Sequence, residues 1–142
     1  MRNTVKPLLI AAMWLMLAVS GASQAEEKKI VLQLSDGSEE KQTLVLNVAS
    51  NLLKAYGQDN VKVEVVAFGP GLRLLFADND NRERIQSLSA TGVRFSACQN
   101  TVAGMTKVLG HAPKLTKDAV EVPAGIVRIV DLTASGYTYA RP

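Results

Sequence analysis

From residue 26 onward the apolar and polar positions follow two alternating rhythms. Residues 28–35 (KKIVLQLS) form a near-continuous run of β-branched and leucine residues, the pattern of a strand covered on both faces. A polar break, DGSEE, follows, with Ser38 placed as an N-cap and Glu40 in the first turn of a helix. Over residues 39–56 the spacing of Leu44, Val45, Val48, Ala49, Leu52, Leu53 and Ala55 predicts an inward helical face, and Gly57 stops it. Residues 61–68 (VKVEVVAF) alternate and then turn solidly apolar, predicting a second strand that Gly69-Pro70-Gly71 ends abruptly. LRLLFADNDN reads as a loop with a short helical turn. Residues 81–90 read as a helix with Ile85, Leu88 and Ala90 inward, ended by Gly92. A third strand (93–97), a third helix (101–109) and a short fourth strand (119–122) come next. A helix over 123–135 then buries Ile126, Val127, Val130 and Ala134 and is capped by Gly136, before an edge strand in YTYAR. Strands alternating with helices predict an α/β fold. It is a three-layer α/β/α arrangement with a mostly parallel sheet of about five strands and right-handed crossovers. The strand order stays open.

The first 25 residues have a different pattern. Arg2 and Lys6 precede an unbroken apolar run, LLIAAMWLMLAV, and then SGASQA, which ends in the small residues of a signal-peptidase site. This is the layout of a secretory signal peptide cleaved near Ala25, with an uncleaved N-terminal anchor as the alternative. The run is shorter than the roughly 20 residues of a membrane span, and no later stretch is long enough to cross a bilayer. No cysteine follows the run to carry a lipid. Residues 26–142 then make one exported domain, expected in the periplasm.

Removing the leader changes the charge. The whole chain has 16 basic and 13 acidic side chains, a net charge of +3. Without Arg2 and Lys6 the difference falls to +1. With no basic stripe, nucleic acid is excluded as an expected partner. The chain has one cysteine, Cys98, so no intramolecular disulfide can form and stability must come from the apolar core. A single cysteine in an exported protein is a reactive thiol, an intermolecular crosslink, or a small buried hydrophobe, and composition alone favours the last.

Position changes that balance. Ligands of open parallel sheets bind outside the carboxyl ends of the strands. Three segments reach that rim: Ser35 and Asp36; Gly69, Pro70 and Gly71; and Cys98, Asn100 and Thr101. Cys98 falls where a strand gives way to a helix, whose free N–H groups favour a thiolate. The two glycines would let backbone approach the thiol or a small anion. Asn100 and Thr101 are placed to cap the helix. There is no CxxC, no Walker loop and no dinucleotide fingerprint. His111, alone in a loop, cannot build a metal site, and Arg73 reads as a surface arginine with a possible anion contact. No metal or organic cofactor is expected.

Taken together, LVLNVASNLL with Asn47 and Asn51 four apart, VKVEVVAFGPGLRLL, GVRFSACQNT and the closing VPAGIVRIVDLTASGYTYARP give a chain that resembles the DsrE/DsrF-like family of small sulfur-trafficking proteins. The resemblance spans nearly all of residues 26–142. It implies a doubly wound sheet and a homo-oligomer, trimer or hexamer. It also implies that Cys98 occupies the position at which relay members accept sulfur as a persulfide and pass it on, between donor and acceptor proteins. Asn47 and Asn51 read more simply as amides satisfying buried loop backbone. The exported leader departs from the family's cytoplasmic relay members. The alternative function is a non-catalytic small-anion or partner-binding module, or a subunit of a periplasmic complex, in which Cys98 only packs.

Overall fold

The structure, a computed structural model, describes residues 26–142; the expected signal peptide lies outside the described residues. The order of elements is β1 (Lys28–Leu34), α1 (Glu39–Tyr56), β2 (Val61–Ala67), a 3-10 helix (Gly69–Leu75), α2 (Arg82–Ala90), β3 (Arg94–Cys98), α3 (Gln99–Leu109), β4 (Ala119–Val122), α4 (Gly125–Ala134) and β5 (Thr138–Ala140). The five strands form one all-parallel sheet in the order β4-β3-β2-β1-β5, with β4 and β5 at the edges. This is a three-layer α/β/α fold.

The strand order explains how the helices are shared out. From β1 to β4 the chain steps one way across the sheet, so right-handed crossovers lay α1, α2 and α3 on one face. The step from β4 to β5 runs the other way and puts α4 on the opposite face. The packing agrees. Leu32, Val63, Val65, Phe95 and Ala97 bury against Val45 and Leu46 of α1, Leu72, Leu74 and Leu75 of the 3-10 helix, and Ile85 of α2. On the other side Val31 and Val66 pack against Ile129 and Leu132 of α4.

Four expectations are corrected. Ile126, Val127, Val130 and Ala134 of α4 face outward, with the first three 56%, 54% and 58% exposed, while Gly125, Ile129 and Leu132 are buried. The helix carries a wide apolar stripe interrupted by Arg128 and Asp131, and its periodicity favours the Ile126 and Val130 side over the one the sheet takes. Arg128, which reaches a buried carboxylate in the sheet, helps choose it. In α1, Leu44 and Ala55 are exposed, and Gln42 and Leu46 are buried instead. Ala90, the last residue of α2, is exposed where the helix ends. The helical turn expected in LRLLFADNDN starts earlier and is longer: a 3-10 helix from Gly69 to Leu75 buries Leu72, Leu74 and Leu75, and the loop is confined to residues 76–81.

Candidate functional site

β1, β2 and β3 are neighbours, so their carboxyl ends lie side by side on one rim. Cys98 is the last residue of β3 and the N-cap of α3, which begins two residues earlier than its periodicity predicts. The thiol is free and 5% exposed. Phe95 and Ala97 face the α1 side, so strand alternation points Ser96 and Cys98 toward α4. There the sulfur meets a second helix start. The Asn100 N–H donates to the Pro123 carbonyl at 3.3 Å and ties the beginning of α3 to the residues leading into α4. Gly125, the first residue of α4, lies against Phe68, where a Cβ would come within 2.9 Å of the ring. Only a glycine brings the backbone this close.

Burial pushes the Cys98 thiol up. The Thr101 hydroxyl and the backbone N–H groups of Gly125, Thr101 and Asn100 outweigh it and hold the pKa below the ordinary value of 9.0. The N–H groups of α3 do not form a side-chain cap of ordinary geometry with the sulfur. They act on it as nearby dipoles that favour the charged form. Thr101 Oγ1 accepts from the Gly69 N–H at 2.9 Å, which ties the start of α3 to the turn after β2. The starts of α3 and α4 thus meet beside the thiol, and both favour its charged form.

The remaining rim residues divide. Gly71 packs tightly against β1. A Cβ there would stand 2.3 Å from the Leu34 carbonyl oxygen, so this glycine packs the 3-10 helix against the end of β1. Pro70 presses on Gly37. Only Gly69 of the three touches the site, through Thr101. Asn100 contributes its backbone, and its side chain is exposed; neither Asn100 nor Thr101 is the cap, because Cys98 itself takes that place. Ser35 and Asp36 lie across β2 from Cys98, two strand spacings or about 10 Å away. They line a cavity of about 220 Å³ between the ends of β1 and β5, with Gln33, Lys41, Arg141 and Pro142. Asp36 accepts from the Ser38 N–H at 2.8 Å, and that bond leads the causes that lower its pKa. A larger cavity of about 450 Å³ is lined by Gln42, Arg73, Asn79 and neighbouring residues, not by Cys98.

Asn47 and Asn51 are exposed, and Asn47 accepts from Arg84. Neither satisfies buried loop backbone, since the helix face they share is turned to solvent. His111 is an exposed loop residue beside the Ala112 carbonyl. Among the described residues no group of three His, Cys, Asp or Glu side chains is arranged to hold a metal ion.

Sequence reasoning missed Gly125, Phe68 and a buried ionic cluster. Glu64, in the middle of β2, is 2% exposed. It accepts from Arg128 Nε at 2.8 Å and Arg128 Nη2 at 2.7 Å, and from the Ser96 hydroxyl at 2.6 Å. Arg94 Nε lies 3.6 Å away. The carboxylate raises the Arg128 pKa, chiefly through the direct hydrogen bond. An acidic residue inside the apolar run VKVEVVAF was the available signal for Glu64. Nothing local marks Gly125.

No family model matches the chain, and no curated protein does. Among solved structures it is similar to the protein of unknown function MTH1491 from Methanobacterium thermoautotrophicum. The identity is 28% and the TM-score 0.72, over 81% of this chain and 99% of that one. No helix of the described residues is long and apolar enough to cross a membrane. The chain thus shares a fold over nearly the full length of a protein whose own function is unknown.

Proposed function

We propose that this protein is a sulfur carrier of the DsrE/DsrF-like type, exported to the periplasm, that accepts sulfane sulfur on Cys98 as a persulfide and passes it to a partner protein. What supports the reading is the placement of the one thiol at the carboxyl end of β3 and the start of α3, turned toward the start of α4, surroundings that lower its pKa and favour the nucleophilic thiolate. The Cys98 thiolate attacks the terminal sulfur of a donor persulfide, R–S–SH. A new S–S bond forms to Cys98 as the donor's S–S bond breaks, and R–S⁻ leaves with the electron pair. The proton stays on the transferred sulfur. An acceptor thiolate then attacks that sulfur, and Cys98 leaves as a thiolate. Each step exchanges one S–S bond for another with no net oxidation, so no cofactor is required. A trimer or hexamer belongs to the same reading.

Intact mass spectrometry after incubation with polysulfide tests it. The expected product is the mass of one added sulfur on the native protein and none on Cys98→Ser. An equally abundant adduct on the serine variant would refute it.

The 5% exposure of Cys98 favours a second reading, a binding or assembly module in which the thiol only packs. In that case Cys98 resists alkylation until the protein unfolds.

A further inference from the structure

This inference rests on the thiolate reading of Cys98 and concerns what holds its surroundings in place. Glu64 and Arg128 form an ion pair where the carboxylate side chain is only 3% exposed. Apolar side chains of similar volume would commonly fill such a place at no loss of stability, so an ion pair there suggests a role beyond stability. A bidentate fork adds direction, because it fixes a helix in both rotation and axial position. α4 needs that, since its inner residues Ile129 and Leu132 and its outer residues Ile126, Val127 and Val130 are equally apolar. Arg128 follows Gly125 by three residues, and its N–H donates to the Ala124 carbonyl at 3.0 Å. The fork and the Gly125 N–H therefore belong to the same first turn of helix. Ser96, which donates to Glu64 at 2.6 Å, precedes Cys98 by two residues on the same strand face.

We propose that the Arg128–Glu64 pair is a positioning device, fixing the first turn of α4 so that the Gly125 N–H stays against the Cys98 sulfur. The pair acts through Gly125 and does not touch the reacting atoms. The charged side chains on the elements that meet at Cys98 are Lys62 and Glu64 of β2, Arg73 of the 3-10 helix, Arg94 of β3, Lys107 of α3, Glu121 of β4, and Arg128 and Asp131 of α4. The variants below change only the pair.

The experiment is the pH dependence of Cys98 alkylation by iodoacetamide in the native protein, Arg128→Lys and Glu64→Gln, each checked for native near-ultraviolet circular dichroism. Arg128→Lys keeps the charge and loses the fork. Its profile is expected to move up by about half a pH unit, so that alkylation at neutral pH slows about threefold. Glu64→Gln separates position from charge by sign. Removing a negative charge would by Coulomb interaction alone move the profile down, whereas a loosened Gly125 moves it up. An upward shift is expected. A folded Arg128→Lys with the native profile, or a downward shift in Glu64→Gln, overturns the proposal while leaving the thiolate reading intact. A native profile at the ordinary thiol value overturns both. Should Glu64→Gln fail to fold, Arg128→Lys decides alone.

Discussion

The two faces of the sheet are built differently. One lies under α1, α2, α3 and the 3-10 helix, and its side chains, Phe95, Leu32, Val65 and Leu72 among them, are fully buried and apolar. The other is crossed by α4 alone. It buries Val31, Val66, Ile129 and Leu132 around an ionic cluster and leaves Val120 and Tyr139 exposed on the flanking edge strands. A parallel sheet is ordinarily covered on both faces. The first face meets that requirement within the chain and supplies most of the apolar burial. The second meets it only along its middle, and there directional bonds replace bulk packing. Cys98 lies at the end of a strand whose last residues alternate between the two faces, and its sulfur is turned to the second.

The largest test of that contrast is a pair of truncations followed by urea unfolding. Phe95→Ala, in the first face, should cost about 4 kcal/mol, and Ile129→Ala about 2 kcal/mol, because the thin second layer can relax around the lost side chain. Equal losses would erase the distinction. Two glycine substitutions come next. Gly71→Ala drives a Cβ to 2.3 Å from the Leu34 carbonyl, backbone on backbone, and should cost about 3 kcal/mol. Gly125→Ala meets the Phe68 ring at 2.9 Å and the Phe68 Cβ at 3.0 Å; the ring can turn but the Cβ cannot, and the change should cost about 2 kcal/mol. The reverse order would mean that the second face is the more rigid.

Smaller effects appear in reactivity. Thr101→Val removes one of the groups that lower the Cys98 pKa. The pKa should rise, the thiolate fraction at neutral pH should fall, and alkylation should slow by about threefold to tenfold, with a loss of about 1 kcal/mol of stability because the Gly69 N–H also loses its acceptor. An unchanged rate would separate Thr101 from the sulfur. Smallest of all, Ile126→Ser, Val127→Ser and Val130→Ser should each change the stability of the isolated chain by no more than about 0.5 kcal/mol, since these side chains are more than half exposed. Sedimentation velocity on the triple variant should nonetheless show a smaller species than the native protein if subunits meet on α4. An unaltered oligomer would move that contact elsewhere.

Much of the architecture is legible in the sequence. The β-branched runs of β1 and β2, the three-and-four spacing of α1 and the turn after Val61–Ala67 carry local signals strong enough to place each element. Cys98 on the carboxyl rim followed from the same pattern. The site around it was less legible. Ser35 and Asp36 reach the rim as expected but stand across β2 from the thiol, because the strand order sets β2 between β1 and β3, and with β5 beside β1 their strand end encloses its own cavity. The inward side of α4 could not be read from a helix whose periodicity favours its other side. Gly125 was invisible for a related reason: it is separated from Cys98 by α3 and β4, and no periodic pattern spans such a gap.

The sequence by itself determined the succession of strands and helices and put the one cysteine at a strand end, because hydrophobic period and turn chemistry act over a few neighbouring residues. The tertiary structure decided the strand order, the face on which α4 lies, the burial of Glu64 against Arg128 and the meeting of two helix starts at Cys98. Those depend on which segments pack together across tens of residues, 27 between Cys98 and Gly125 and 64 between Glu64 and Arg128, and local pattern does not encode contacts at that range.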